Sequence, residues 1–193
     1  MIRVKQLIGK NMKKIILSLA AVAVLSSSAS FADDVSLSGL LGSNNERYYD
    51  VGVSHNIGSF VLGGQVETER SNENTLLKND YSVSLGYKSA LPYGFNAVTS
   101  VALGESITPN ANDRLFYNTG VSVSHQIYGP ISASAAFRYR STFSSSPVIT
   151  EKRESASVKW TINSHNSLSV DGHTYAGNPS LSHIIGVSYS YTF

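Results

Sequence analysis

Large apolar or aromatic residues alternate with small polar ones along most of the chain from Val35 to the C terminus. In the last segment, the large side chains occupy every second position up to Phe193, and mostly Ser, Gly and Thr stand between them. A period of two indicates β-strands, because successive side chains of a strand point to opposite faces. No segment shows the 3.6-residue period of an amphipathic helix. The pattern therefore predicts an all-β protein.

Tight turns alternate with longer polar connections. This order predicts five up-and-down hairpins, hence ten antiparallel strands, with short turns at one end of the sheet and long loops at the other. Eight strands is the alternative, because the first hairpin (35–55) and the ninth strand (168–173) have the weakest patterns. The predicted tight turns are 56–58, 89–94, 126–130 and 163–166, and the predicted long loops are 43–47, 69–79, 104–114, 141–152 and 174–180.

The polar face of the predicted strands consists mainly of Ser, Gly and Ala, whereas a water-soluble sheet would carry Lys, Glu and Thr there. Small side chains suit the crowded interior of a closed barrel whose bulky face meets lipid. Closure follows as well, because every backbone donor in a bilayer needs a partner and an edgeless barrel supplies it. We therefore expect a closed transmembrane β-barrel. A soluble sandwich would instead pack the bulky ladders inside.

Aromatic residues gather near both ends of the predicted strands. Such belts are typical of membrane–water interfaces, where rings sit between headgroups and acyl chains. The turn-end belt comprises Phe60, Tyr87, Tyr93, Phe95, Tyr128, Trp160, Tyr191 and Phe193, and the loop-end belt comprises Tyr48, Tyr49, Tyr81, Phe116, Tyr117, Phe137, Tyr139 and Phe143.

The first 32 residues have the order of a secretory signal: Lys13 and Lys14, an apolar run of eleven residues over 15–25, and small residues up to Ala32. A membrane anchor is the alternative, but a spanning helix needs roughly 20 apolar residues. We expect cleavage after Ala32, which leaves 33–193 as the barrel domain. That domain carries ten basic against thirteen acidic residues, so the charge balance argues against a nucleic-acid partner.

The C-terminal strand resembles that of the small β-barrel outer-membrane proteins of Gram-negative bacteria. The resemblance rests on the terminal Phe193, with Tyr191 and Tyr189 at alternate positions before it. It implies that these three residues form the signal read by the outer-membrane assembly machinery. It also implies secretion through the inner membrane to the outer membrane, contact with lipid and lipopolysaccharide, short turns in the periplasm and long loops outside.

Alternation places several polar side chains on the lumenal face. Opposite charges in such an interior tend to pair, so these residues either fill the bore as a structural plug or form a constriction that discriminates solutes by charge. We predict a narrow porin-like diffusion channel for small solutes; the alternative is a non-conducting, adhesin-like barrel whose loops bind a surface partner. The lumenal candidates are Gln65, Glu67, Lys88, Arg138, Arg140, Lys159, Asp171 and His173.

Enzymatic chemistry has little support in the sequence. Asp171 and His173 lie two residues apart on the lumenal face and could form an acid/base couple, although a lumenal hydrogen-bonded pair is the simpler interpretation. The chain has no Cys, its five His lack ligand spacing, and no nucleotide-binding motif is present. We therefore expect neither an enzyme, nor a metal site, nor a cofactor.

Overall fold

The computed structural model describes residues 33–42, 45–71, 73–109, 111–143, 148–176 and 183–193. The predicted signal peptide, 1–32, lies outside these residues. Ten strands are present in the described part of the chain: β1 (Asp34–Gly42), β2 (Arg47–Ile57), β3 (Phe60–Arg70), β4 (Leu76–Ala90), β5 (Phe95–Ile107), β6 (Arg114–Tyr128), β7 (Ile131–Thr142), β8 (Thr150–Thr161), β9 (Asn166–Ala176) and β10 (His183–Thr192).

The strands form one closed antiparallel barrel in which each strand pairs with its neighbours along the chain. The ring is completed by β1 and β10, which pair from Asp34 opposite Thr192 to Gly42 opposite Ile184. Among these ten described strands, closure leaves no edge strand with unpaired backbone groups. The prediction of an up-and-down barrel with ten strands is confirmed, and the eight-strand alternative is wrong.

Short turns join the strands at one end of the barrel. Gly58 and Gly129 adopt positive φ at two of them, and a single 3-10 turn, Pro92–Gly94, forms a third. Glycine tolerates this left-handed backbone because it has no Cβ. We call this end the turn end, and the opposite end, where the longer connections lie, the loop end.

The bulky ladders cover the outer wall, where Val83, Val101, Val187 and Ile185 are each more than half exposed. The small residues of the alternate face contact one another inside, as where the Oγ atoms of Ser134 and Ser157 lie 2.8 Å apart. An apolar outer wall is stable only against hydrocarbon. No helix in the described residues is long and apolar enough to cross a membrane.

The strands are longer at the loop end than the sequence pattern predicted. The predicted loop 69–79 and turn 89–94 leave the nine residues 80–88 for the fourth strand, whereas β4 begins at Leu76 and has 15 residues. At a tilt near 40°, 15 residues rise roughly 39 Å, well beyond an apolar band of about 25 Å. As a result, charged residues of the predicted long loops, such as Glu69, Lys78 and Glu151, lie within strands.

Two members of the predicted loop-end belt lie inside the barrel rather than on its outer wall. The exposed fraction is 4% for Tyr48 and 1% for Phe116. Phe116 packs over Gly104, where a Cβ would collide with its ring. A glycine on the neighbouring strand therefore makes room for a ring on the crowded lumenal face. All eight turn-end aromatics are exposed, as an interface belt requires.

Candidate functional site in the barrel lumen

Eight charged residues form a cluster inside the loop-end half of the barrel, and we call it the ion-pair cluster. They come from four strands, two on each side of the bore, and alternation directs all of them inward. With four acids and four bases, the formal charges balance. Its members are Glu67 and Glu69 of β3, Lys78 and Asp80 of β4, Arg138 and Arg140 of β7, and Glu151 and Arg153 of β8.

Glu67 is the centre of one half of the cluster. Its Oε2 lies 3.5 Å from Arg153 Nη1 and 3.8 Å from Arg138 Nη1, and Arg138 Nη2 donates to Glu151 Oε1 at 2.9 Å. Strands β3 and β8 stand five positions apart in the ring of ten, on opposite walls. The contact between Glu67 and Arg153 therefore crosses the whole bore.

Asp80 is the centre of the other half. Its Oδ2 lies 2.5 Å from Arg140 Nη1 and 3.1 Å from Lys78 Nζ. The guanidinium of Arg140 stacks on Phe116, with Cζ 3.6 Å from the ring centroid. The ring supplies a face that attracts a cation. Together these contacts hold Arg140 against the β4 wall of the lumen.

A cavity of about 190 Å³ lies beside the cluster, between the walls of β1–β3 and β8–β10. Its apolar side is formed by Leu40, Tyr48 and Ile184, and its polar side includes Asp50 and Asp171. Asp50 accepts a hydrogen bond from Gln65 at 2.5 Å. The cavity therefore joins an apolar wall to two lumenal carboxylates.

Asp171 and His173 both line this cavity, but they form neither the hydrogen-bonded pair expected from the sequence nor the less favoured acid/base couple. Asp171 Oδ2 accepts hydrogen bonds from Ser169, at 3.1 Å, and from Ser188. The Nδ1 atom of His173 is buried and has no hydrogen-bond partner in the described structure. The geometry of a general acid and base is not present here.

The two remaining basic candidates lie nearer the turn end. The side chain of Lys88 is exposed and donates to the side-chain oxygen of Asn56. Lys159 is exposed and stands in register with Ser132 and Ser169 on the same face. Neither forms an ion pair with any residue the structure describes. This half of the lumen is lined mainly by Ser and Gly.

The predicted assembly signal lies where the barrel closes. Tyr191 and Phe193 form an edge-to-face pair with centroids 5.0 Å apart, and Phe193 donates its backbone N–H to Asp33 O at 2.9 Å. Tyr189, Tyr191 and Phe193 all lie on the outer wall and are 36% to 61% exposed. These side chains are accessible to lipid or to a partner.

Sequence reasoning missed five of the eight residues of the ion-pair cluster and both tyrosines of the cavity, Tyr48 and Tyr175. A usable signal was present: Asp80 stands two residues before Ser82, and Arg153 two residues before Ser155, so each continues a small-residue face. Extending the alternation past the predicted strand ends would have placed both residues in the lumen. Which of them meet across the bore depends on ring closure.

No metal site is formed by the described residues, since no group of three or more His, Asp or Glu is suitably placed. No protein-family model matches the sequence, and no curated protein matches it either. The similarity to solved structures is therefore a similarity of backbone fold.

Two solved outer-membrane porins share this backbone. NanC porin has a TM-score of 0.51 at 12% identity, over 83% of this chain and 98% of that one. KdgM porin, solved in complex with a disordered oligogalacturonate, has a TM-score of 0.51 at 13% identity, over 83% and 99% of the two chains. At this identity the likeness is one of fold. The chain thus has the fold of a small porin-like β-barrel.

Proposed function

We propose that this protein is a narrow porin-like channel for small solutes, with the ion-pair cluster as its constriction. The observation that supports the proposal most is the contact between Glu67 and Arg153, which joins opposite walls of the barrel. Between this contact and the turn end, the lumen is lined mainly by small residues, which leave the bore open. The bore is therefore narrowest at the cluster.

The electrostatics of the cluster support low conductance. A constriction of balanced, paired charges offers a passing ion few free charges to replace its hydration shell. Breaking one pair to admit an ion leaves a charge uncompensated in a protected interior, which is costly. Small polar solutes would pass only when the side chains of the cluster move apart.

The fold also supports a location in the bacterial outer membrane, as in the porins it resembles. We propose that 1–32 directs export, that lipid and lipopolysaccharide surround the outer wall, and that the assembly machinery reads the C-terminal aromatics. The turn end would then face the periplasm. One of the two similar porins was solved with an oligogalacturonate, but at 13% identity we assign no solute to this chain.

A non-conducting barrel whose loops bind a surface partner is the second candidate. It is favoured by the tight packing of the cluster, in which Glu67 and Arg140 are each 8% exposed. In that case the ion pairs would tie the walls together, and the outer loops would carry the function.

Planar-bilayer recording distinguishes the two candidates. The channel predicts small discrete steps for the wild type and larger steps for the double variant Glu67→Ser/Arg153→Ser, which removes the bridge across the bore. The control is Lys152→Ser/Glu154→Ser, which removes the same two charge types from the outer face of β8 and should conduct like the wild type. Silence of all three proteins over many insertions would exclude the channel.

A further inference from the structure

The cavity beside the ion-pair cluster has carboxylates that the protein does not neutralise. Every acid of the cluster lies within 4 Å of a basic side chain. Asp50 and Asp171, which line the cavity, have no ion-pair partner within the described residues. Glu67 and Arg153 of the cluster also line the cavity, so its lining carries three carboxylates against one guanidinium, an excess of negative charge.

Polar atoms in this cavity also lack partners. Gln65 donates to one oxygen of Asp50, and the other, Oδ1, is buried without a hydrogen bond, as is His173 Nδ1. Buried polar atoms are nearly always paired, so Asp50, whose Oδ1 is enclosed without a donor, would gain a partner if its carboxylate turned toward a donor in the cavity. A donor that carries positive charge would offset the nearby carboxylates as well.

The opposite wall of the cavity is apolar. Tyr48 and Ile184 are 4% and 3% exposed and pack with Leu40 and Tyr175. A volume of about 190 Å³ exceeds the roughly 150 Å³ of an engineered apolar cavity that binds benzene. One small ring with a short polar arm fits this space.

From these features we infer that the cavity binds a small organic cation, with an ammonium group on Asp50 and Asp171 and an apolar body against Tyr48 and Ile184. The chemistry selects against two other classes of ligand. An anion would meet the uncompensated carboxylates, and a neutral ligand would leave their charge unbalanced. The site does not depend on conduction, because it requires only the folded barrel.

Calorimetry on the folded protein in a nonionic detergent tests the inference with benzylamine at about pH 8, where the amine carries a positive charge. Benzyl alcohol and benzoate are probes of the same size with no charge and with negative charge, and detergent without protein corrects for partition into micelles. We expect saturable binding of benzylamine alone. Equal binding of benzyl alcohol, or no binding of benzylamine, would overturn the inference.

Variants locate the site. Asp50→Asn and Asp171→Asn should each weaken benzylamine binding about tenfold, since a charge-assisted hydrogen bond is lost. Glu154→Gln, on the outer wall, should leave it unchanged, and heat-modifiable migration on gels verifies the fold of each variant. Undiminished affinity in the double variant Asp50→Asn/Asp171→Asn would show that the amine binds elsewhere. Conductance does not enter this test, so its outcome is separate from that of the channel proposal.

Discussion

Arg140 and Asp80 meet inside the barrel although 60 residues separate them along the chain, with Arg140 Nη1 2.5 Å from Asp80 Oδ2. Their strands, β7 and β4, are not neighbours in the ring, so the contact spans part of the lumen. Both side chains are below 10% exposed. The pair therefore ties together two separate parts of the wall.

Removing one partner of this pair should destabilise the barrel strongly. Asp80→Asn leaves Arg140 and Lys78 without their shared carboxylate, and breaking a buried pair in this way costs about 3–5 kcal/mol. Urea unfolding in lipid vesicles, followed by the fluorescence of the single tryptophan, Trp160, measures the change. Lys152→Gln, on the outer wall, should stay within about 0.5 kcal/mol of the wild type.

The double variant Asp80→Asn/Arg140→Met makes the test specific to the pair. Because it removes both charges, we expect it to be less destabilised than the sum of the two single variants by at least about 1 kcal/mol. Additive losses would mean that the two side chains stabilise the barrel independently.

Gly104 should not tolerate a side chain. In Gly104→Ala the new Cβ collides with the Phe116 ring and with Tyr81 O, and overpacking of this kind costs about 1–3 kcal/mol. Gly39 is a matched control on β1, because a Cβ there has nothing within 4 Å. The same unfolding assay should show a loss for Gly104→Ala and none for Gly39→Ala. Equal stability of the two variants would contradict the close packing of Phe116.

Phe193 should matter for assembly in cells more than for stability. We expect Phe193→Ala to lower the folded, heat-modifiable fraction in outer membranes while export continues, because the assembly signal is weakened. Phe143→Ala removes a similarly exposed ring at the opposite end, at 57% against 61%, and should assemble normally. If Phe193→Ala assembles as well as Phe143→Ala, the terminal aromatic is not the signal.

Ion selectivity should change when basic residues of the lumen are replaced, and should not change when a basic residue of the outer wall is replaced. Arg138→Gln leaves Glu67 and Glu151 partly unneutralised, and Lys159→Gln removes a base without an ion-pair partner in the described structure. Both changes should shift the reversal potential in a salt gradient toward cation selectivity. Lys152→Gln should not. Unchanged reversal potentials in Arg138→Gln would place the conduction path away from the cluster.

Acidic pH should loosen the turn end at Asp33. The backbone N–H of Asn56, which donates to its carboxylate at 2.5 Å, and the neighbouring His55 hold the pKa of Asp33 below its usual value. A lowered pKa means that the interaction is complete above the unfolded pKa, near 3.9, and is lost as pH falls through the folded one. The amide shift of Asn56 should follow this titration by NMR. In Asp33→Asn the shift should not titrate, and a wild-type midpoint at or above the unfolded value would contradict the geometry.

Much of the fold could be read from the chain because alternation is a local property. Whether Val83 faces lipid and Ser84 the lumen depends only on the pleat of one strand. Five pairs of ladders between turn signals then predict ten strands. Strand length was underestimated because pairing continues beyond the membrane, where charged residues such as Lys152 and Glu154 replace the apolar ladder of the outer wall without ending the strand.

Local pattern thus determined by itself the strand count, the direction of each side chain and the lumenal position of residues such as Glu67, Arg138 and Arg140. Only the closed ring decided that Glu67 meets Arg153 from the opposite wall, that the guanidinium of Arg140 reaches Asp80 of β4, and that Asp50 and Asp171 border one cavity. The physical reason is the distance along the chain over which each feature is set. Alternation follows from the backbone geometry of neighbouring residues, whereas contacts across the lumen depend on the register and curvature of all ten strands together.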